Sequence, residues 1–345
     1  MKQKLFKILP IAAVAIFITA CGQQENNQTG QPISDFFTFE PNTTFLIHNL
    51  DEELEHLNQE IFTSHISADG SRIQQRISVF NIEATVVLEN SNGSLRQIFA
   101  WSETPVWHDI TGINEFMEIV ILQEPLILGH SWNNGVGGIS EITATNLEIT
   151  TPVGIFEDVI EVTTTFPGLD DYVISLFAPG HGTISETYRS TLVYQGQEII
   201  SIGETQLSSV RTGGLPVTID VFYMDDNLMS LEHIPVNVEI QTNQDFVSLF
   251  SDIIANHMPS ISHTTINNIY VDMLNSLVTV DFASDFFPIN LGAGAEGLML
   301  SSLANTFGMF YGLENFLITI DGANYESGHI LFEEGETIQI GATQW

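Results

Sequence analysis

Two periods of apolar and polar positions divide this chain. Between residues 36 and 209 they alternate with period two, through 77–88, 147–150, 159–164, 172–177 and 191–202, the pattern of strands with one buried face. Turn pairs Asp69-Gly70, Asn92-Gly93 and Gln195-Gly196 separate the runs, and 51–61 reads as a short helix. Arg211-Thr212-Gly213-Gly214-Leu215-Pro216 breaks the pattern and reads as a joint over 210–216. Beyond it, 217–223 and 234–240 alternate as strands. Phe246, Leu249, Phe250, Ile253, Ile254 and His257 then fall on one helical face. Thr242-x-x-Asp245 reads as a capping-box start and Pro259 as the stop. A hairpin over 268–271 and 277–282 follows. A second helical stripe comes next at Leu300, Leu303, Ala304, Phe307, Phe310 and Tyr311, and a strand over 316–320 closes the series. The fold class expected is α+β: a mainly antiparallel β domain, then a β-β-α-β-β-α-β domain with two helices on one face of a sheet.

The start of the chain has its own pattern. Lys2, Lys4 and Lys7 flank an apolar run over 5–20, interrupted by Pro10, which has the layout of a secretory signal. Ile18-Thr19-Ala20-Cys21-Gly22 resembles a bacterial lipobox. The resemblance implies cleavage before Cys21 and its acylation, with several chains giving stable attachment to the extracellular face of the cell membrane. An ordinary signal peptide with a chance cysteine and an uncleaved anchor are the alternatives, and the apolar run is short for a span. The organisation expected is therefore a signal over 1–20, a polar Gln/Asn-rich tether over 21–35, a β-rich domain over 36–209, the joint, and an α+β domain over 217–345.

Charge narrows the partners. The 345 residues hold eight basic and 43 acidic side chains, for a net charge of −35. All three lysines precede Cys21, so beyond it the cations are Arg72, Arg76, Arg96, Arg189 and Arg211. Arginine keeps its charge where lysine loses it, so an alkaline, salty exterior is expected. A surface this negative repels nucleic acid, so no nucleic-acid partner is expected. Wall polymers remain open, because high salt shortens the reach of charge. One cysteine consumed by lipid leaves no disulfide.

The C-terminal domain resembles the GerMN family of sporulation and germination lipoproteins of Gram-positive endospore formers. The resemblance rests on Val217-Thr218-Ile219-Asp220-Val221-Phe222-Tyr223-Met224-Asp225, on Met258-Pro259, and on Val278-Thr279-Val280-Asp281-Phe282-Ala283-Ser284-Asp285-Phe286. Gly294-Ala295-Glu296-Gly297-Leu298-Met299-Leu300 and Ile318-Thr319-Ile320-Asp321-Gly322 complete it. It implies a non-enzymatic envelope role with no catalytic residues. Two departures stand out: one copy of the domain where the namesake has two, and no glycine at the hairpin tip Leu274-Asn275-Ser276.

Several motifs approach chemistry without reaching it. Gly292-Ala293-Gly294-Ala295-Glu296-Gly297 matches G-x-G-x-x-G, but no strand immediately precedes it. Gly129-His130-Ser131-Trp132-Asn133 lacks the final glycine of a nucleophile elbow. His257 and His263 flank Pro259 without the carboxylates or cysteines of a zinc site. Asp225-Asp226-Asn227 lacks the glycine of a calcium loop, and Asp281 and Asp321 read as turn acceptors.

The function expected is therefore a cell-envelope lipoprotein, not an enzyme, with Cys21 its lipidation site and no catalytic, cofactor or metal residues. Its expected partners are the membrane, envelope proteins or peptidoglycan, and further copies of itself. The alternative is a carrier of a lipid or other apolar ligand in the N-terminal β domain.

Overall fold

A computed structural model describes residues 30–37, 40–80, 82–102, 106–194, 197–286 and 291–341. The chain forms two compact units, one of Met1–Glu103 and Asp109–Gly213, the other of Thr104–His108 and Gly214–Trp345.

Among the described residues the first unit is a single sheet of twelve strands. These are β1 (Thr43–Asn49), β2 (Gln59–Ile66), β3 (Arg72–Val79), β4 (Ile82–Ser91), β5 (Ser94–Ser102), β6 (Ile119–Gln123), β7 (Ser131–Asn133), β8 (Ile139–Thr151), β9 (Gly154–Thr165), β10 (Tyr172–Ala178), β11 (Gly182–Tyr194) and β12 (Gln197–Thr212). From β1 to β6 and from β7 to β12 each strand pairs antiparallel with the next in sequence, and β1 pairs with β12, so two six-strand meanders join in the order β6 to β1, then β12 to β7. The local cause is turn chemistry. Asn92 and Gly93 both have positive φ, the two-residue turn whose twist suits a hairpin, and they place Ser91 opposite Ser94.

The sheet's two edges, β6 and β7, meet. Val120 donates its N–H to the Asn134 carbonyl at 3.0 Å, and Trp132 donates Nε1–H to the Val120 carbonyl at 3.1 Å. The nearly closed sheet thus leaves little of the open edge that invites aggregation. Gly135 is required beside this seam, because a Cβ there would sit 2.4 Å from the Glu118 carbonyl oxygen. Inside, Ile73, Leu88, Leu122, Trp132, Ile142, Val162 and Phe177 form one apolar cluster with Ile33, Phe36 and Phe37 from the chain preceding β1. A second gathers Phe45, Ile47, Phe156, Val159, Ile184 and Leu207.

The second unit holds β13 (Leu215–Met224), β14 (Leu231–Ile240), α1 (Phe246–His257), β15 (Ile266–Asp272), β16 (Leu277–Phe282), α2 (Ala293–Tyr311), β17 (Asn315–Ile320), β18 (Ala323–Asn324) and β19 (Ile338–Gln339). β13 and β14 form a separate two-stranded sheet. β16 and β17 run parallel, joined through α2, with β15, β18 and β19 antiparallel around them. Phe250 sits 4.3 Å from Phe307 between ring centroids, and Phe307 stacks on Phe316. Trp107 stacks on Phe310 and donates Nε1–H to its carbonyl at 3.2 Å.

The fold class needs correction. The chain is mostly antiparallel β, with a barrel-like sheet and few helices, in place of a balanced α+β layout. The second unit divides its strands between two sheets where one layer was expected. Smaller expectations shift for local reasons. Residues 51–61 form only a 3-10 turn, Glu52–Leu57, before β2 begins at Gln59. The joint expected over 210–216 is absorbed by strand pairing, leaving Gly213 and Gly214 between β12 and β13. The cap of α1 is Asp245 rather than Thr242: its carboxylate accepts from the N–H groups of Val247 and Ser248.

Trp132 both fills the first core cluster and ties the seam. Trp132→Ala is expected to lower unfolding free energy by about 3–5 kcal/mol, read by urea denaturation followed by circular dichroism. A loss within about 0.5 kcal/mol of zero, the usual range for surface substitutions, would remove the seam from the stability of this unit.

Candidate functional site

Directly opposite residues of antiparallel strands share a face, so strand registers read as rows across the sheet. One row runs Ile142, Val162, Ser175, Glu186, Thr205 and Asn49, from β8 through β12 to β1. Ile142 and Val162 belong to the first core cluster, which sets the row on the inner face. At Ser175 it turns from apolar to polar.

Glu186 Oε1 accepts a hydrogen bond from Ser175 Oγ at 2.8 Å. Burial pushes the carboxyl up to about 7, against the opposing pull of that hydroxyl. Thr205 is 2% exposed. Among the described residues its Oγ1 and the Oδ1 of Asn49 are buried without a hydrogen-bond partner, an arrangement that folding ordinarily avoids. The neighbouring row carries Ser140 and Thr164, whose hydroxyls lie 2.7 Å apart, and Tyr188, whose ring covers Gly203 so closely that a Cβ there would lie 2.5 Å from it. Together these groups offer acceptors for a hydroxyl, an ammonium or water.

A second polar cluster serves the fold. Arg72 bonds Glu89 through Nε at 2.8 Å and the carbonyls of Thr111 and Ile113 at 2.9 Å each. Arg96 bonds Glu89 and Glu118. Burial alone would raise the Glu89 carboxyl, yet the bonds from Arg72, Ser91 and Arg96 outweigh it and hold the carboxyl below its usual range. These ties fasten the segment after Asp109 to β3, β4 and β5.

The residues singled out in the sequence fall elsewhere. Cys21 lies outside the described residues. Gly292 is the N-cap of α2, and Glu296 inside that helix is buried, accepting from Tyr325 Oη at 2.7 Å. Ser131 opens the short strand β7, followed by loop. Asp225 closes a turn by accepting from the N–H groups of Met229 and Ser230. Asp281 accepts from Thr319 Oγ1 at 2.6 Å and from Gly322 N–H at 2.8 Å, and Asp321 accepts from Asn267 Nδ2 at 3.1 Å. Among the described residues no group of three or more His, Cys, Asp or Glu is arranged to hold a metal, and no helix is long and apolar enough to cross a membrane. The inner row escaped the sequence reading because Ser, Glu, Thr and Asn in alternating strands look like a solvated face until the register assigns them inward.

No protein-family profile and no curated protein matches the chain. Two solved structures share limited likeness. One, from Bacteroides fragilis NCTC 9343, is described as an exported protein with a YmcC-like fold: identity is 10%, over 51% of this chain and 99% of that one, at a TM-score of 0.29. The other, from Parabacteroides distasonis ATCC 8503, is described as a lipoprotein: identity is 12%, over 51% of this chain and 98% of that one, at a TM-score of 0.26. Superpositions at these scores do not establish a shared fold.

Glu186 makes stability depend on pH. Burial pushes its carboxyl from 4.5, the ordinary value of a glutamate, up to about 7 in the folded chain, so the folded chain holds the proton through that interval. The resulting stability is fully present below the unfolded value and is lost as pH rises through the folded one. Glu186→Gln keeps the acceptor for Ser175 and is expected to stabilise the protein by about 1–3 kcal/mol at about pH 9, with little change at about pH 4. Urea unfolding at both values checks this; equal effects at the two would show a carboxyl titrating normally.

Proposed function

We propose that this chain is an exported lipoprotein of the bacterial cell envelope, held on the extracellular face of the membrane by acyl groups on Cys21, and that it works by contact rather than catalysis. The observation that carries this reading is the pairing of a lipobox-like Cys21 with a β unit whose interior is occupied by its own side chains, including Phe36 and Phe37. A unit filled in this way presents surfaces. The preponderance of acidic over basic residues favours partners met in salt, such as envelope proteins or neutral stretches of peptidoglycan. The GerMN-like residues of the second unit link the role to sporulation or germination.

A Cys21→Ser allele in the native host is the test. It is expected to abolish labelling by radioactive fatty acid and to move the protein out of the membrane fraction. In an endospore former it is also expected to lower the yield of heat-resistant or germinating spores. Retained label would overturn the anchor, and normal spores would sever the GerMN link.

The inner polar row favours a second reading, in which the β unit carries an apolar molecule with a hydroxyl or amine head. The unpartnered Thr205 Oγ1 and Asn49 Oδ1 support it. Native mass spectrometry of the full chain is then expected to show a bound small molecule that Thr205→Val releases. A ligand-free mass for the native chain would leave water as the row's occupant and end this reading.

A further inference from the structure

The hairpin of β11 and β12 outruns the sheet that holds it. Pairing of β10 with β11 ends at Tyr172 and Arg189, and pairing of β1 with β12 ends at Asn49 and Thr205. Pairing between β11 and β12 continues to Tyr194 and Gln197. Beyond the sheet they form a bare two-stranded ribbon, an arrangement marginal in water by itself.

Its surface is unusual for this chain. Leu192, Val193, Ile199, Ile200 and Ile202 are 61%, 64%, 49%, 52% and 63% exposed. Leu192 faces Ile199 on one side, while Val193, Ile200 and Ile202 share the other. Between 190 and 202 the only charged residue is Glu198, in a chain of net charge −35.

One edge of the ribbon is open. Thr191 gives its N–H to Asp171 Oδ2 at 3.0 Å instead of across to Ile200, so the two form a non-hydrogen-bonded pair. By alternation, Glu198, Ile200 and Ile202 turn their N–H and C=O groups outward from β12. The end of β1 reaches only as far as Glu204, whose carbonyl accepts from Leu50 N–H at 2.7 Å. Asp171 blocks the β11 edge at Thr191. Along the described part of this β12 edge the one charge is Glu198, near the tip, with none of the lysine, proline or bulge that natural sheets place there.

A bilayer does not suit this edge, because hydrocarbon leaves strand edges unsatisfied. Another strand with little charge supplies both the missing hydrogen bonds and the apolar cover, and the ribbon of a second copy is such a strand.

We propose that two copies of this chain pair β12 against β12, antiparallel about a two-fold axis near Ile200, so that each ribbon covers the other's open edge. The contact is isologous and closes at two. It rests on the β unit, and the contact role proposed above does not depend on it.

Cysteine cross-linking of the full chain in its membrane tests the pairing. Ile200→Cys sets two thiols across one hydrogen-bonded pair, where Cα atoms lie about 5.5 Å apart, within disulfide reach. Mild oxidation is expected to give a dimer on a non-reducing gel. Ile155→Cys, 65% exposed on β9, is expected to stay monomeric, and adding Ile202→Asp to Ile200→Cys is expected to cut the dimer about tenfold. The Cys21→Ser background should leave the dimer intact, which separates this result from the fate of the anchor. Absence of the Ile200→Cys dimer, equal cross-linking from Ile155→Cys, or a product with a different protein would overturn the proposal. Circular dichroism of each variant confirms that the half-exposed substitutions leave the fold in place.

Discussion

The pairing of β1 with β12 is the constraint from which the first unit follows. Each six-strand meander alone would be an open sheet with two bare edges; joined at their outer strands they become one sheet, whose remaining edges meet at Val120, Trp132 and Asn134. Closure sets which residues face inward, and therefore which polar groups are trapped. Ser175, Glu186, Thr205 and Asn49 form a row only because the consecutive strands β10, β11 and β12 keep register with β1, which is far away in sequence. The same register decides where β11 and β12 lose their neighbours and continue as a ribbon.

Charge is spent unevenly in this chain. Three of the five cations beyond Cys21, namely Arg72, Arg76 and Arg96, pair with Glu89, Glu83, Glu115 and Glu118 around β3 to β5. Half-buried guanidinium groups can hold carboxylates there through several directed bonds, which an ammonium does less well. Most other acidic residues remain in solvent, where their mutual repulsion opposes self-association except where charge is sparse. The ribbon is such a place, and it is also where backbone groups lie open.

Much of the local structure was legible. Asn92-Gly93 marked a hairpin that the chain makes, because both residues accept positive φ. The stripe from Phe246 to His257 marked α1, because apolar spacing at one helical face has few other solutions. Less legible were Thr242 and Asp245, either of which could cap a helix, and the joint over 210–216, where Pro216 sits in β13 opposite Glu239 without breaking it. An edge position tolerates the missing N–H.

What the sequence alone determined is short-range: the periods, the turns, the helix faces, the acidity, and the lipobox-like context of Cys21. Each depends on residues a few positions apart, so the order of residues contains it. Only the tertiary structure decided that twelve strands curl into a nearly closed sheet, that the balance is β rather than α+β, that Glu186 and Thr205 face inward, and that Ile200 lies on an uncovered edge. Those outcomes depend on which distant strands pair and in what register. A shift of one residue would exchange inside for outside throughout, and alternation along a single strand does not say which face the rest of the chain will cover.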